Sequence, residues 1–221
     1  MFGQSQALTS FADQLRRYHV ALTKDSLIDA LKSPVPDVRW LAAQKLAEDN
    51  VKEAVPFILE ALRKDSALPQ NEANLAAALA KLGSEQGYKT LTAMCNNREN
   101  APDVRLVAAR YLADFGKPDC LDSTVDILNS QSDDGLRIEA LRLLPRLAAN
   151  SDVARHRVDS IVARLLVDPS PSVRLNAAIT LADLGDSNAI SDLRGAIATE
   201  KEAAIRSQMQ SALSALEQKH R

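Results

Sequence analysis

One segment, written several times over, constrains this chain more than any local propensity does. Residues 171–186 read Pro-Ser-Val-Arg-Leu-Asn-Ala-Ala-Ile-Thr-Leu-Ala-Asp-Leu-Gly-Asp, and close copies stand at 36–47 and 102–116. A unit repeated at a fixed period cannot bury its apolar face alone, so its copies must stack. With the arginine of the segment as marker, the equivalent positions are Arg39, Glu72, Arg105, Arg137, Arg174 and Arg206. The intervals between them are 33, 33, 32, 37 and 32 residues.

After each marker, small or apolar residues recur three, four, seven and ten positions on. They are Ala42, Ala43 and Leu46, where Asp49 breaks the pattern; Leu75, Ala76, Leu79 and Leu82; and Ala108, Ala109, Leu112 and Phe115. Ala140, Leu141, Leu144 and Leu147 follow, then Ala177, Ala178, Leu181 and Leu184. At about 100° per residue these positions share one helical face. The last copy, Met209, Gln210, Leu213 and Leu216, puts a polar residue there, as a C-terminal cap should. A shorter amphipathic helix precedes each marker, clearest at Val55, Ile58, Leu59 and Leu62 and at Val158, Ile161, Val162 and Leu165.

The punctuation agrees. Pro36, Pro102 and Pro171 occupy first helical positions, where a missing N–H costs nothing. Asp37 and Asp103 suit the positive end of the helix dipole, and Ser170 is a good N-cap. Gly83, Gly116 and Gly185 stand where a helix can end in a left-handed residue. The pattern predicts six antiparallel helix pairs, with extra residues around 149–154 lengthening one connection or one helix. Before them, Leu8, Phe11, Leu15 and Tyr18 make one apolar stripe outside the repeat, which predicts an N-terminal capping helix within residues 1–22. Residues 23–221 are then one repeat array. Trp40, beside its marker, is expected to pack in the core or between repeats.

Composition fits helices that approach closely. Hydrophobic residues make up 46% of the 221, but aromatics only 4%, so Ala and Leu must do the packing. A net charge of -2 gives no bias toward nucleic acid or membranes. No apolar run is long enough to span a bilayer, and the start of the chain lacks the basic and apolar regions of a secretory signal. The expected location is the cytoplasm, although a fragment of a larger protein would read the same way. Cys95 and Cys120 form no metal-type pair and are expected to be small buried hydrophobes in a reducing compartment.

The motif Pro-x-Val-Arg-x-x-Ala-Ala-x-x-Leu-Ala-x-Leu-Gly-Asp resembles HEAT repeats, most nearly the short bacterial kind grouped with bilin-lyase repeats. The resemblance covers roughly residues 23–217. It implies an all-α fold, a right-handed α-solenoid, in which the marker Arg and a nearby Asp form a ladder between repeats. That structural role falls on Arg39, Arg105 and Arg174. Glu72 in place of Arg, and Gly135-Leu136 in place of the Pro-x-Val opening, make the second and fourth repeats the divergent ones.

Chemistry is harder to find. His19, His156 and His220 are scattered, and none is followed by the Glu that HEAT-like di-iron hydroxylases carry, so no metal and no cofactor is expected. Phosphate-loop and nucleophile-elbow motifs are missing too. Cys120 lies near a predicted helix start, but no histidine stands nearby in sequence to act as its base.

A binding surface is better supported. Positions two, five and nine after each marker point away from the buried stripe, and the resemblance places them on the concave wall. In the middle repeats they include Arg110, Asp114, Glu139, Arg142 and Arg146, with Tyr111 alongside. The expected function is a non-enzymatic scaffold or adaptor that binds a protein or peptide, one with an acidic surface, on that wall. An enzyme of the bilin-lyase or chaperone-lyase kind is the alternative implied by the resemblance. A helical-repeat DNA-binding protein of the glycosylase kind is a third, disfavoured by the net charge.

Overall fold

A computed structural model of the chain describes residues 10–130 and 133–220. Among them are thirteen α-helices and no strand. The chain forms two compact units, Met1–Met94 and Cys95–Arg221.

The first unit begins with α1 (Phe11–Arg17), capped by the Ser10 hydroxyl, which accepts from the Asp13 N–H at 3.1 Å. Leu15 is fully buried, and Phe11 meets the Trp40 ring edge-on at 6.1 Å. Leu8, placed on the same stripe by its spacing, lies outside the described residues. The pairs α2 (Lys24–Ala30) with α3 (Pro36–Glu48) and α4 (Val55–Lys64) with α5 (Pro69–Lys81) follow. α1 packs on α3, and α3 packs on α5. α6 (Glu85–Asn96) approaches α5 so closely that a Cβ at Gly87 would lie 2.4 Å from the Ala80 nitrogen. Only glycine fits there.

In the second unit, α7 (Pro102–Asp114), α9 (Asp134–Leu147), α11 (Pro171–Leu184) and α13 (Ala203–Lys219) lie side by side in that order. α8 (Leu121–Asn129) packs on α9, α10 (Asp152–Ala163) on α11, and α12 (Ala189–Thr199) on α13. The long interval between Arg137 and Arg174 goes into a helix, because α10 continues as a 3-10 segment, Arg164–Val167.

The predicted stripe is the core. All of its small and apolar residues are buried except Phe115, which is half-buried, and Leu213 in the final copy. Proline opens α3, α5, α7 and α11. α9 lacks that proline, and its Asp133 side chain instead accepts from the Leu136 N–H at 3.0 Å. Gly83, Gly116 and Gly185 all take positive φ, and Asn50, eleven residues past Arg39, fills the same role with φ 54.

Two expectations need correction. Cys95 and Cys120 are buried as expected but are joined to each other in a disulfide, with Cα atoms 6.0 Å apart. They come together because the end of α6 lies against the start of α8. The bond also removes Cys120 as a nucleophile. Second, the positions two and five past the marker are not outward in the first unit: Leu41, Gln44, Asn74 and Ala77 are all buried. Gln44 sits between helices and donates from Nε2 to the Asn74 carbonyl at 2.7 Å.

Candidate functional site

The marker arginines are the chain's most organised polar groups. Arg39 is almost wholly buried, and its Nε donates to Asp65 Oδ2 at 3.0 Å while Nη2 pairs with Oδ1. Its third nitrogen, Nη1, donates to the Ser33 carbonyl at 2.6 Å. Arg174 repeats the arrangement with Glu200, through Nε at 2.7 Å and Nη2 at 3.0 Å, and reaches the Asp168 carbonyl with Nη1 at 2.9 Å. Arg137 grips the Asp168 carboxylate with Nη1 and Nη2 instead, and its Nε donates to the Leu128 carbonyl at 3.4 Å. Two-pronged guanidinium–carboxylate bridges fix geometry as well as charge.

The acids have a common address. Asp65 is the C-cap of α4, Asp168 ends the 3-10 segment after α10, and Glu200 is the C-cap of α12. Each bridge therefore ties the second helix of one pair to the end of the first helix of the next. The Arg174 hydrogen bond, with the Glu202 N–H, holds Glu200 down to about 2. Burial would raise Asp168, but the Arg137 hydrogen bond and the Ser170 N–H outweigh it and keep it low. Reading the sequence alone missed Arg137 and all three acids. The signal was available: an acid stands six or seven residues before the next marker at Asp65, Asp168 and Glu200.

Arg105 departs from this scheme. Its Nε donates to the Cys95 carbonyl at 3.0 Å and its Nη2 to the Ser123 carbonyl at 3.2 Å. Among the described residues its acceptors are backbone oxygens, not a carboxylate.

The predicted binding residues come together on α7 and α9. Arg110 Nη1 lies 4.0 Å from Glu139 Oε1, and Arg146 pairs with Asp114, so two ion pairs cross between the same helices in opposite senses. Arg142 turns to α11, where its Nε donates to Asn176 Oδ1 at 3.2 Å. The Arg110 guanidinium lies 5.8 Å from the centre of the Tyr111 ring, and burial raises the Tyr111 phenol against the opposing charge of Arg110. Every charged group in this set is substantially exposed, and Ile179 on α11 is exposed as well.

A second cluster, not foreseen, lies near the end of the chain. A cleft of about 350 Å³ is lined by Asp152, His156, Asp186 and His220 among others. His156 Nδ1 pairs with Asp186, and His220 Nε2 donates to the Gly185 carbonyl at 2.9 Å. Beside His156 on α10, Asp159 is buried, and its Oδ1 has no hydrogen-bond partner among the described residues. Burial first, then the charges of Asp186 and Asp192, push Asp159 up to about 6. Among the described residues, no group of three or more His, Cys, Asp or Glu side chains is placed to hold a metal ion. None of the described helices is long and apolar enough to cross a membrane.

The family model for HEAT repeats matches residues 25–101 and 122–214, well over half of the chain. The chain is a HEAT-repeat protein. Among solved structures, this HEAT-repeat protein is similar to a chain of the complex of CpcE and CpcF of phycocyanin lyase from Nostoc sp. PCC7120. The identity is 20%, the TM-score 0.51, and the match covers 96% of this chain and 90% of that one. A human deoxyhypusine hydroxylase in complex with glycerol matches at 17% identity with a TM-score of 0.32, over 88% and 84% of the two chains. A search of curated proteins gives no match. The first similarity agrees with the all-α solenoid built from helix pairs; at this identity it speaks to fold alone.

Proposed function

We propose that this HEAT-repeat protein is a scaffold or adaptor that binds another protein or peptide across the face formed by α7, α9 and α11. The observation that carries the proposal is the crossed pair of bridges, Arg110–Glu139 and Asp114–Arg146, exposed on neighbouring helices. In the first unit the equivalent positions are largely buried and carry no such lattice. Side chains already held in place lose less freedom when a partner docks. On α7 and α9, Arg110, Arg142 and Arg146 stand against Asp114 and Glu139, a positive excess that favours a partner carrying carboxylates over these two helices, while Asp183 marks the α11 edge as acidic. Ile179 offers an apolar contact beside them. The similar phycocyanin lyase structure is itself a complex of two proteins, which supports a protein as the partner. Nothing in this reading assigns a catalytic step.

The test compares the tagged full chain with its Arg110→Glu, Arg142→Glu, Arg146→Glu variant. A control changes Arg16, Lys32 and Lys89 to Glu, all well exposed. After matched melts, partners from native lysate are quantified. The expected result is a partner held by wild type and control and depleted about tenfold or more by the face variant. Retention of every specific partner by the folded face variant overturns the proposal. A copurified pigment absorbing in visible light would move the reading to the lyase class.

A further inference from the structure

The disulfide stands in the one Arg-marked repeat of the middle of the chain whose arginine has no carboxylate. Arg39, Arg137 and Arg174 each close their repeat onto the end of the following helix through a two-pronged bridge. Arg105 finds two backbone carbonyls instead, and one of them belongs to Cys95. At the position six residues before the next marker the sequence has Gln131, not an acid. Around Arg105, neutral contacts join the end of α6 to the first turn of α8: the Asn96 amide donates to the Asp119 carbonyl at 3.4 Å, and the Ser123 hydroxyl bonds to the Asn96 side chain. One exposed pair, Arg98–Asp126 at 2.6 Å, adds little. Cys95 and Cys120 sit in the middle of this set with no exposed surface.

We propose that the Cys95–Cys120 bond is a redox-responsive clamp, a covalent tie between the end of α6 and the start of α8 in a repeat whose arginine has no carboxylate bridge. Oxidised, it holds Cys120, the N-cap of α8, against the last turn of α6. Reduced, the junction loses its covalent tie and is left to the Arg105 hydrogen bonds, the neutral ones and the exposed pair, and the first turn of α8 loosens. Such a bond persists in an oxidising compartment and is lost where dithiols are kept reduced.

The chemistry is thiol–disulfide exchange. A dithiol reductant attacks one sulfur as its thiolate, the S–S bond breaks, and a mixed disulfide forms. Its second thiolate displaces the remaining cysteine. Two electrons and two protons have then passed to Cys95 and Cys120, which end as thiols, and the reductant leaves as its own cyclic disulfide. Closure is the reverse, with a disulfide-bearing oxidant accepting the same two electrons and two protons. Burial of both sulfurs requires local opening before attack, so reduction of the folded chain should be slow and speed up in mild denaturant.

The experiment uses the full chain purified without reductant, denatured in N-ethylmaleimide, and weighed intact. Neither cysteine should be alkylated until dithiothreitol has been added, after which both should be. Hydrogen exchange is then compared between oxidised and reduced protein. Amides of residues 121–124 should lose protection on reduction while those of α11 and α13 keep theirs, and melting should fall by roughly 5–15 °C. The variant Cys95→Ala with Cys120→Ala should match the reduced wild type in either buffer. Should the variant fail to fold, reduction of the wild type alone still decides. Alkylation of both cysteines before reduction overturns the proposal. So does unchanged protection of 121–124, or protection lost equally in α11 and α13.

Discussion

The Thr180 hydroxyl on α11 donates to the Leu141 carbonyl on α9 across a buried distance of 3.2 Å. Four residues beyond Leu141 is Pro145, inside α9, and proline has no N–H to give that carbonyl. A side chain from the neighbouring helix therefore supplies the donor that the helix itself lacks. Replacing Thr180 by Val keeps the shape and removes the donor, leaving a buried acceptor unpaired. The expected cost is about 1–2 kcal/mol. In a Pro145→Ala background the restored N–H can serve Leu141, so the same change should cost less. Denaturant melts of the four proteins give the coupling; additive costs would dissolve the link.

Gly87 makes a second test of close packing. An added Cβ would meet the Ala80 nitrogen at 2.4 Å and the Ala76 oxygen at 2.5 Å, backbone atoms that cannot rotate away. Gly87→Ala should cost about 2–3 kcal/mol. Gly195, in α12, has nothing within 4 Å of the same added atom. Gly195→Ala should be neutral or stabilising by about 0.4–1 kcal/mol. Thermal melts that rank the two the other way would contradict the α5–α6 contact.

The buried bridge should behave unlike the exposed one. Arg39→Met strands the fully buried Asp65 carboxylate and should cost about 3–5 kcal/mol, with much of the loss recovered by adding Asp65→Leu. Arg146→Met breaks a pair whose members are both near half exposed, and should cost under about 1 kcal/mol. Equal costs, measured in urea, would mean that the Arg39 bridge is as wet as the surface pair.

Stability should depend on pH through Asp159. Its folded pKa, about 6, lies above the ordinary carboxyl value of 3.8 expected of the unfolded chain, so the folded state holds the proton more tightly. The stabilisation is full below the unfolded value and is lost as pH rises through 6. Asp159→Asn removes the ionised form and should raise stability by about 1–2 kcal/mol at pH 8, with little gain at pH 4. Glu200 works in the opposite sense: held at about 2, its contribution is present above 4.5 and fades as pH falls through 2. Melts across pH 4–8 should show the gap between variant and wild type opening from pH 4 to about 6 and staying level above it. A constant offset across that range would exclude the carboxylate as the cause.

The repeat was legible because its code is local. Ala177, Ala178, Leu181 and Leu184 share a helical face by spacing alone, and the structure buries all four. Pro171 and Gly185 mark the ends of α11 for backbone reasons that need no neighbour. The same logic placed Arg110, Glu139, Asp114 and Arg146 away from the buried stripe, but not in their crossed pairing, which depends on how α7 and α9 are offset. It also put Leu41, Gln44, Asn74 and Ala77 outside, where they are buried. Helical periodicity says which residues share a side, and not how many sides a neighbouring element covers.

Sequence by itself therefore determined the helix pairs, their ends, the alanine–leucine core and the marker arginines, because each rests on backbone geometry within a few turns. Tertiary structure decided what those residues meet. The acids facing Arg39 and Arg174 come from 26 residues away, the Cys95–Cys120 bond closes over 25, and Thr180 answers a carbonyl 39 residues behind it. Such partners are chosen by the stacking of whole helices, which sets distance and direction between groups that no local pattern relates.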